Sequence, residues 1–197
     1  MSKEEHQKIY AIHENILSTR SRHLDDLLSQ ASHENGVKTI KFEDDNAQAF
    51  GLYVQLLYTG HIPSKGTTTV NFDEHTHLCE LYVLAYKFGD IAAQNAALDA
   101  VLSTATESFS DNGTANLPRC EHVNIIYKNT PELCAARRLM VDLYTSRANR
   151  DWLRDQKDAF PAEFMSDLAL NLMGCRTVTL RHNIKPKENY HEQVQAE

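Results

Sequence analysis

Two apolar helical segments that each stop on a glycine constrain this chain more than any other feature of it. Phe50–Ile62, FGLYVQLLYTGHI, breaks off at Thr59-Gly60, and Leu81–Asp90, LYVLAYKFGD, breaks off at Gly89. Glycine directly after the last apolar turn supplies the left-handed residue that ends a helix. The first helix is expected to begin after Asp44, Asp45 and Asn46, whose side-chain oxygens can accept the unpaired N–H groups of a first turn, and to turn Ala47, Phe50, Val54 and Leu57 inward. The second is expected over His75–Phe88, with Leu78, Leu81, Tyr82, Ala85 and Phe88 at helical spacing. Asp90 then caps a helix over Ile91–Glu107, whose Ala93, Ala96, Ala97 and Ala100 permit a close helix hairpin.

Ahead of these helices the pattern changes. Lys8–Ile12 alternates like a short strand, a helix follows around Ile16-Leu17, and a second helix covers His23–Gln30. In the latter, Leu24, Leu27 and Leu28 form one apolar stripe while Asp25 and Asp26 face water. Asn35-Gly36 is a turn, and Val37–Phe42, rich in β-branched and aromatic residues, is expected to pair with the first strand. Val70 and Phe72 supply a third short strand after the polar loop Pro63–Thr69. A small three-stranded sheet packed with a cluster of helices is the expected α+β unit, spanning residues 1–107.

The rest of the chain reads as all α. Ser108–Leu117, SFSDNGTANL, is the best boundary in the sequence and sets a linker at 108–118. A helical extension over 119–174 follows: a short helix at His122–Tyr127, a second entered through Thr130-Pro131 with Leu133, Ala136, Met140 and Leu143 on its buried face, and a last one from Pro161 that stacks Phe164, Leu168 and Leu172 and stops at Gly174. Residues 175–197 are expected to be a mobile polar tail.

A chain of 197 residues buries about 70% of the surface it exposes unfolded, so a self-supporting core is expected. Its net charge of −7 argues against direct nucleic-acid binding, which depends on many Lys and Arg contacts. The basic run Arg176–Lys187 reads as solvated tail ahead of a weak import signal. The start MSKEEHQK has no apolar core for a signal peptide and no run is long enough for a bilayer, so cytoplasm or nucleus is the expected location and no membrane is involved. Cys79, Cys120, Cys134 and Cys175 are irregularly spaced and read as reduced.

No constellation for chemistry emerges. His75, His77 and Cys79 are two apart, a spacing that points side chains to opposite sides of a helix, so they are read as solvated histidines and a core cysteine. Cys120-Glu121-His122 has no partner motif at a ligand interval. There is no G-x-S-x-G elbow and no phosphate-cradling glycine loop. The expectation is a non-enzymatic protein with no metal and no cofactor. Tyr53, Tyr58, Tyr82, Tyr86 and Tyr127 are left between core and interface roles.

Several phrases carry a resemblance. Ala11–Ser21, AIHENILSTRS, Lys38–Ile62, and Leu81–Val101 follow in the order and spacing of the BTB/POZ domain, and the chain resembles the fungal branch of that family. Ile125–Glu132, IIYKNTPE, and Arg137–Tyr144, RRLMVDLY, are similar to the helical extension that follows the domain there. The resemblance implies a protein-interaction module that self-associates or serves as an adaptor, with a cullin ubiquitin-ligase scaffold or a chromatin complex as alternative settings. It implies homodimer contacts on Ile16–Gln30, with Leu24, Leu27 and Leu28 split between core and interface. It places scaffold contacts at the loop Ala31–Gly36, where Ser32 and Glu34 stand at the positions of an apolar anchor and an acid, and Tyr58 is a further interface candidate. Dimers that exchange a first strand need one ahead of Ile9–Ile12, and only MSKEEHQ stands there; Ser32 also cannot fill an apolar pocket. Both departures weaken the corresponding contacts.

Overall fold

The computed structural model describes residues 8–34, 36–42, 46–63, 73–107, 116–148, 154, 159–175 and 185–192. A short helix α1 (Glu14–Ser18) leads to Ser21, whose extended backbone and hydroxyl begin α2 (Arg22–Gln30). Ser21 Oγ accepts the Leu24 N–H at 3.1 Å and donates to the Phe88 carbonyl, tying the start of one helix to the end of another. Ser21→Ala is expected to lower stability by about 1–2 kcal/mol in urea unfolding; an unchanged midpoint would show that neither bond matters.

The sheet is smaller than expected. Among the described residues it has two strands, β1 (Ser32–Glu34) and β2 (Val37–Thr39), antiparallel with His33 opposite Lys38. Gly36 has φ +80°, the conformation a tight hairpin turn needs, and that local closure wins over pairing with the distant N-terminal segment. Residues 8–12 lie outside any strand, although Tyr10 still docks: its hydroxyl donates to the Ala47 carbonyl and its ring meets Phe50. The expected strand at Val70 and Phe72 and the cap candidates Asp44 and Asp45 lie outside the described residues.

Helix α3 (Ala47–Thr59) starts on Asn46, whose side-chain oxygen accepts the N–H groups of Gln48 and Ala49, and ends at Gly60 with φ +71°. Its buried face is Ala49, Tyr53 and Leu56, one residue round from the expected Phe50 and Leu57, which are half-buried. The helix is apolar nearly all round, so period alone could not choose the face. Phe50 instead fills the flank, within ring contact of Tyr10, Phe42 and Phe88.

Helices α4 (Glu74–Phe88) and α5 (Ile91–Glu107) form the hairpin, turning at Gly89, with Ala93 and Ala97 fully buried. Asp90 has no exposed surface; it accepts the Ala93 N–H, the Tyr53 hydroxyl at 2.8 Å and the Arg20 guanidinium at 2.7 Å. The extension is α6 (Cys120–Asn129), α7 (Ala135–Arg147) and α8 (Ala162–Gly174). One hydrophobic cluster runs without a break from Leu24, Tyr53 and Phe88 to Leu117, Leu139, Met140 and Phe164. Residues 108–115 of the expected linker lie outside the described residues, and Leu117 at its end is core.

Two details of the extension differ from expectation. Thr130 closes α6 instead of opening α7, which begins on Cys134; the intervening Leu133 takes φ +63° and is exposed. In α8, Phe164 and Leu168 are buried but Leu172 is not, because eight residues at 100° each drift 80° off the original face. Beyond α8, where a mobile tail is expected, Lys187–Tyr190 forms a 3-10 turn and Tyr190 is 2% exposed.

Candidate protein interface

The residues singled out by sequence scatter. Leu24 and Leu28 are buried in the core and Leu27 is half-buried against it, so α2 offers water mainly its polar side. Ser32 is exposed and its hydroxyl turns back to the Thr39 carbonyl; Glu34 sits in β1 opposite Val37. Tyr58 is 46% exposed, and its hydroxyl meets both the His13 backbone N–H and the His13 ring, which packs edge-on to it. Tyr53, Tyr82 and Tyr127 are core, while Tyr86 is partly exposed. Of the six candidates, Leu24 and Leu28 are thus taken up by the core, while Ser32 and Tyr58 stay exposed.

Between α7 and α8 lies a groove of about 520 Å³, lined by Leu133, Val141 and Leu170 with Asp142, Arg138 and Lys185 among its polar groups. Leu133 is 83% exposed, Leu170 66% and Met173 61%. A leucine held at positive φ is uncommon and costs about 1–2 kcal/mol, and the Arg138 guanidinium holds this one by donating to its carbonyl. Below the groove, Arg137 is buried and donates to the Tyr127 and Thr130 carbonyls, to the Thr130 hydroxyl and to Glu163, with its guanidinium 4.4 Å from the Tyr127 ring centre. Sequence reading missed the groove because it placed Leu133 on the buried face of its helix.

The one compact group of metal-ligand types among the described residues is Asp73, Glu121 and His122. It does not suit a metal. His122 Nδ1 accepts the Arg119 N–H at 2.8 Å, so the proton lies on Nε2, which donates to Asp73 Oδ2 at 2.8 Å and leaves no lone pair for an ion. The Arg119 guanidinium, paired with both Asp73 at 3.0 Å and Glu121 at 2.9 Å, already supplies the positive charge. The group is a joint between α4 and α6.

Beside it His75 is buried, not solvated as expected: Nε2 faces the Asn116 carbonyl at 2.9 Å and Nδ1 has no hydrogen-bond partner among the described residues. Burial pushes its pKa below the ordinary 6.5. Burial alone would raise Asp73, but hydrogen bonds from His122 and Thr76, helped by Arg119, hold its carboxyl well below the ordinary 3.8. The unfolded chain thus binds a proton at His75 below pH 6.5, and at Asp73 near pH 3.8, before the folded one does. Stability is therefore full above about pH 6.5 and falls as the pH drops, first through His75 and then through Asp73. Urea midpoints from pH 8 to pH 5 should decline below pH 6.5, and His75→Gln should flatten that decline.

No described helix is long and apolar enough to cross a membrane. No curated protein and no solved structure matches the chain. Residues 2–85, which end within one turn of the end of α4, match the family model of the BTB/POZ domain, and that match supports reading the molecule as a BTB/POZ protein.

Proposed function

We propose that this chain is a non-enzymatic interaction module that holds a protein partner through its helical extension. BTB/POZ domains generally act by binding proteins, and the observation that favours the extension is its groove, where Leu133 and Leu170 stand in water beside Val141, with the exposed Met173 three residues further along α8. Apolar residues grouped on one face around a cleft mark a contact surface more often than scattered single ones do. Self-association through α1 and α2 has less behind it, because Leu24 and Leu28 are spent on the core. A cullin scaffold has less still: Ser32 offers a hydroxyl where an apolar anchor is wanted, and losing such an anchor costs about 2 kcal/mol of binding.

The test is light scattering of the purified chain, alone and with a cullin N-terminal domain, followed by proximity labelling in cells with the parent and with Leu170→Glu/Met173→Glu. The parent is expected to run at the monomer mass of 22.4 kDa with or without the cullin. Its labelled partners should disappear in the variant. Both side chains are exposed, so unfolding of the variant should match the parent within about 0.5 kcal/mol. Partners that persist in the variant would overturn the groove, and a dimer or a cullin complex would move the function to the N-terminal half.

A further inference from the structure

The segment Pro186–Glu192 crosses three helices and is anchored at two side chains. Tyr190 is buried; its hydroxyl donates to Asp142 Oδ2 at 2.9 Å and accepts the Lys185 N–H at 3.1 Å. Two residues on, one carboxylate oxygen of Glu192 accepts the Tyr82 hydroxyl at 2.7 Å and the Ala135 N–H at 2.8 Å, while the Glu192 N–H donates to Asn95 Oδ1 at 2.6 Å. Tyr82 is fully buried in α4, which fixes its hydroxyl as a donor. Ala135 is the first residue of α7, whose N–H has no acceptor within the helix.

Between the anchors His191 leaves the 3-10 turn with polyproline-like backbone, φ −75° and ψ 139°, which carries the chain from the Tyr190 anchor to that of Glu192. Lys187 and His191 add contacts to Asp99 on α5 at 3.1 and 3.0 Å. A closed slot for a tyrosine ending in a carboxylate, next to a pair of donors for a second carboxylate, has the form of a linear-peptide site. Here the ligand is the chain's own segment.

We propose that the α4–α5–α7 surface is a recognition site for a Tyr-x-Glu segment of a partner protein whose tyrosine closes a 3-10 turn, occupied in cis by Tyr190–Glu192, which that segment displaces. A short tether gives an effective concentration of about 1 mM, so a site held about 90% closed in cis corresponds to a Kd near 0.1 mM for the free peptide. The site adjoins the α7–α8 groove, with which it shares Asp142 and Lys185, but Leu170 and Met173 make none of the hydrogen bonds that hold Tyr190 and Glu192, so Leu170→Glu/Met173→Glu and the strap variant test the two readings separately.

The probe is a fluorescent peptide of the sequence Lys187–Glu192 with blocked ends, titrated by anisotropy into the full-length chain and into Tyr190→Ala/Glu192→Ala. The double variant should bind with a Kd near 0.1 mM and the parent at least tenfold more weakly. The same peptide with alanine for tyrosine should not bind. Equal binding to parent and variant, or none to a variant that still unfolds cooperatively, overturns the proposal. Should the variant not fold, hydrogen exchange on the parent decides: a Glu192 amide that exchanges well before those of α4 shows a strap that opens by itself, and one that exchanges only with global unfolding makes the segment plain core.

Discussion

Replacing Arg137 with methionine is expected to lower stability by about 3–5 kcal/mol, the cost of removing one partner of a buried charged network. The side chain is 6% exposed, and its guanidinium spans from α7 to the end of α6, where the Tyr127 and Thr130 carbonyls have no helical N–H to meet. Methionine fills much of the space but leaves those acceptors dry, and each buried orphan costs about 1–3 kcal/mol. Lysine should recover only part of the loss, since a point charge cannot reproduce a planar fork that serves four groups. Glu163, 64% exposed in its side chain, contributes little, and Glu163→Gln should cost less than about 1 kcal/mol. Urea unfolding of the three variants gives the ranking directly. A methionine variant within about 1 kcal/mol of the parent would mean that water replaces the guanidinium.

Asp90→Ala should have an effect of the same size, about 3–5 kcal/mol. The carboxylate joins three segments distant in sequence: Arg20 ahead of α2, Tyr53 within α3 and the first turn of α5. Burial would push the Arg20 guanidinium down, but the hydrogen bond and charge of Asp90 win and hold it above its ordinary value. Burial, with the Asp90 charge next, pushes the Tyr53 hydroxyl far up, so it stays a donor across the accessible pH range. Removing the carboxylate leaves that hydroxyl without its acceptor and the α5 start without its cap. Tyr53→Phe, which removes one bond and leaves the charge pair, should cost only about 1–1.5 kcal/mol. Equal losses from the two variants would place the whole effect in the tyrosine bond and none in the cap or the ion pair.

The helices could be read from the chain because their ends are written in residue types with few alternatives. Gly60 and Gly89 take the left-handed conformation, Asn46 and Asp90 cap, and Ile91–Glu107 holds its bounds. What failed was choice among apolar residues. Alanine, phenylalanine, tyrosine and leucine follow one another in α3, and only the packing against α4 decides that Tyr53 faces in and Phe50 sits on the flank. The strands failed for a different reason. Local hairpin closure at Gly36 competes with long-range pairing, and a sequence does not show which closes at lower entropic cost. The groove stayed hidden because Leu133 departs from helical geometry at one residue, and the strap because buried Tyr190 sits in a run whose composition is that of a solvated tail.

The burial of α4 bears on how the chain is made. Its residues are covered by α3, α5 and α6, and Tyr82 is closed by Glu192, which follows all of these helices in the chain. During vectorial synthesis α4 leaves the ribosome well before α6, α8 or the strap exists to cover it. The nascent chain therefore carries an uncovered apolar flank until α6 and then the strap emerge, the kind of surface that chaperones bind and that aggregates when they do not. A ribosome stalled near Glu107 should hold a chain that is protease-sensitive and chaperone-bound, and release from that state should come only with the C-terminal helices.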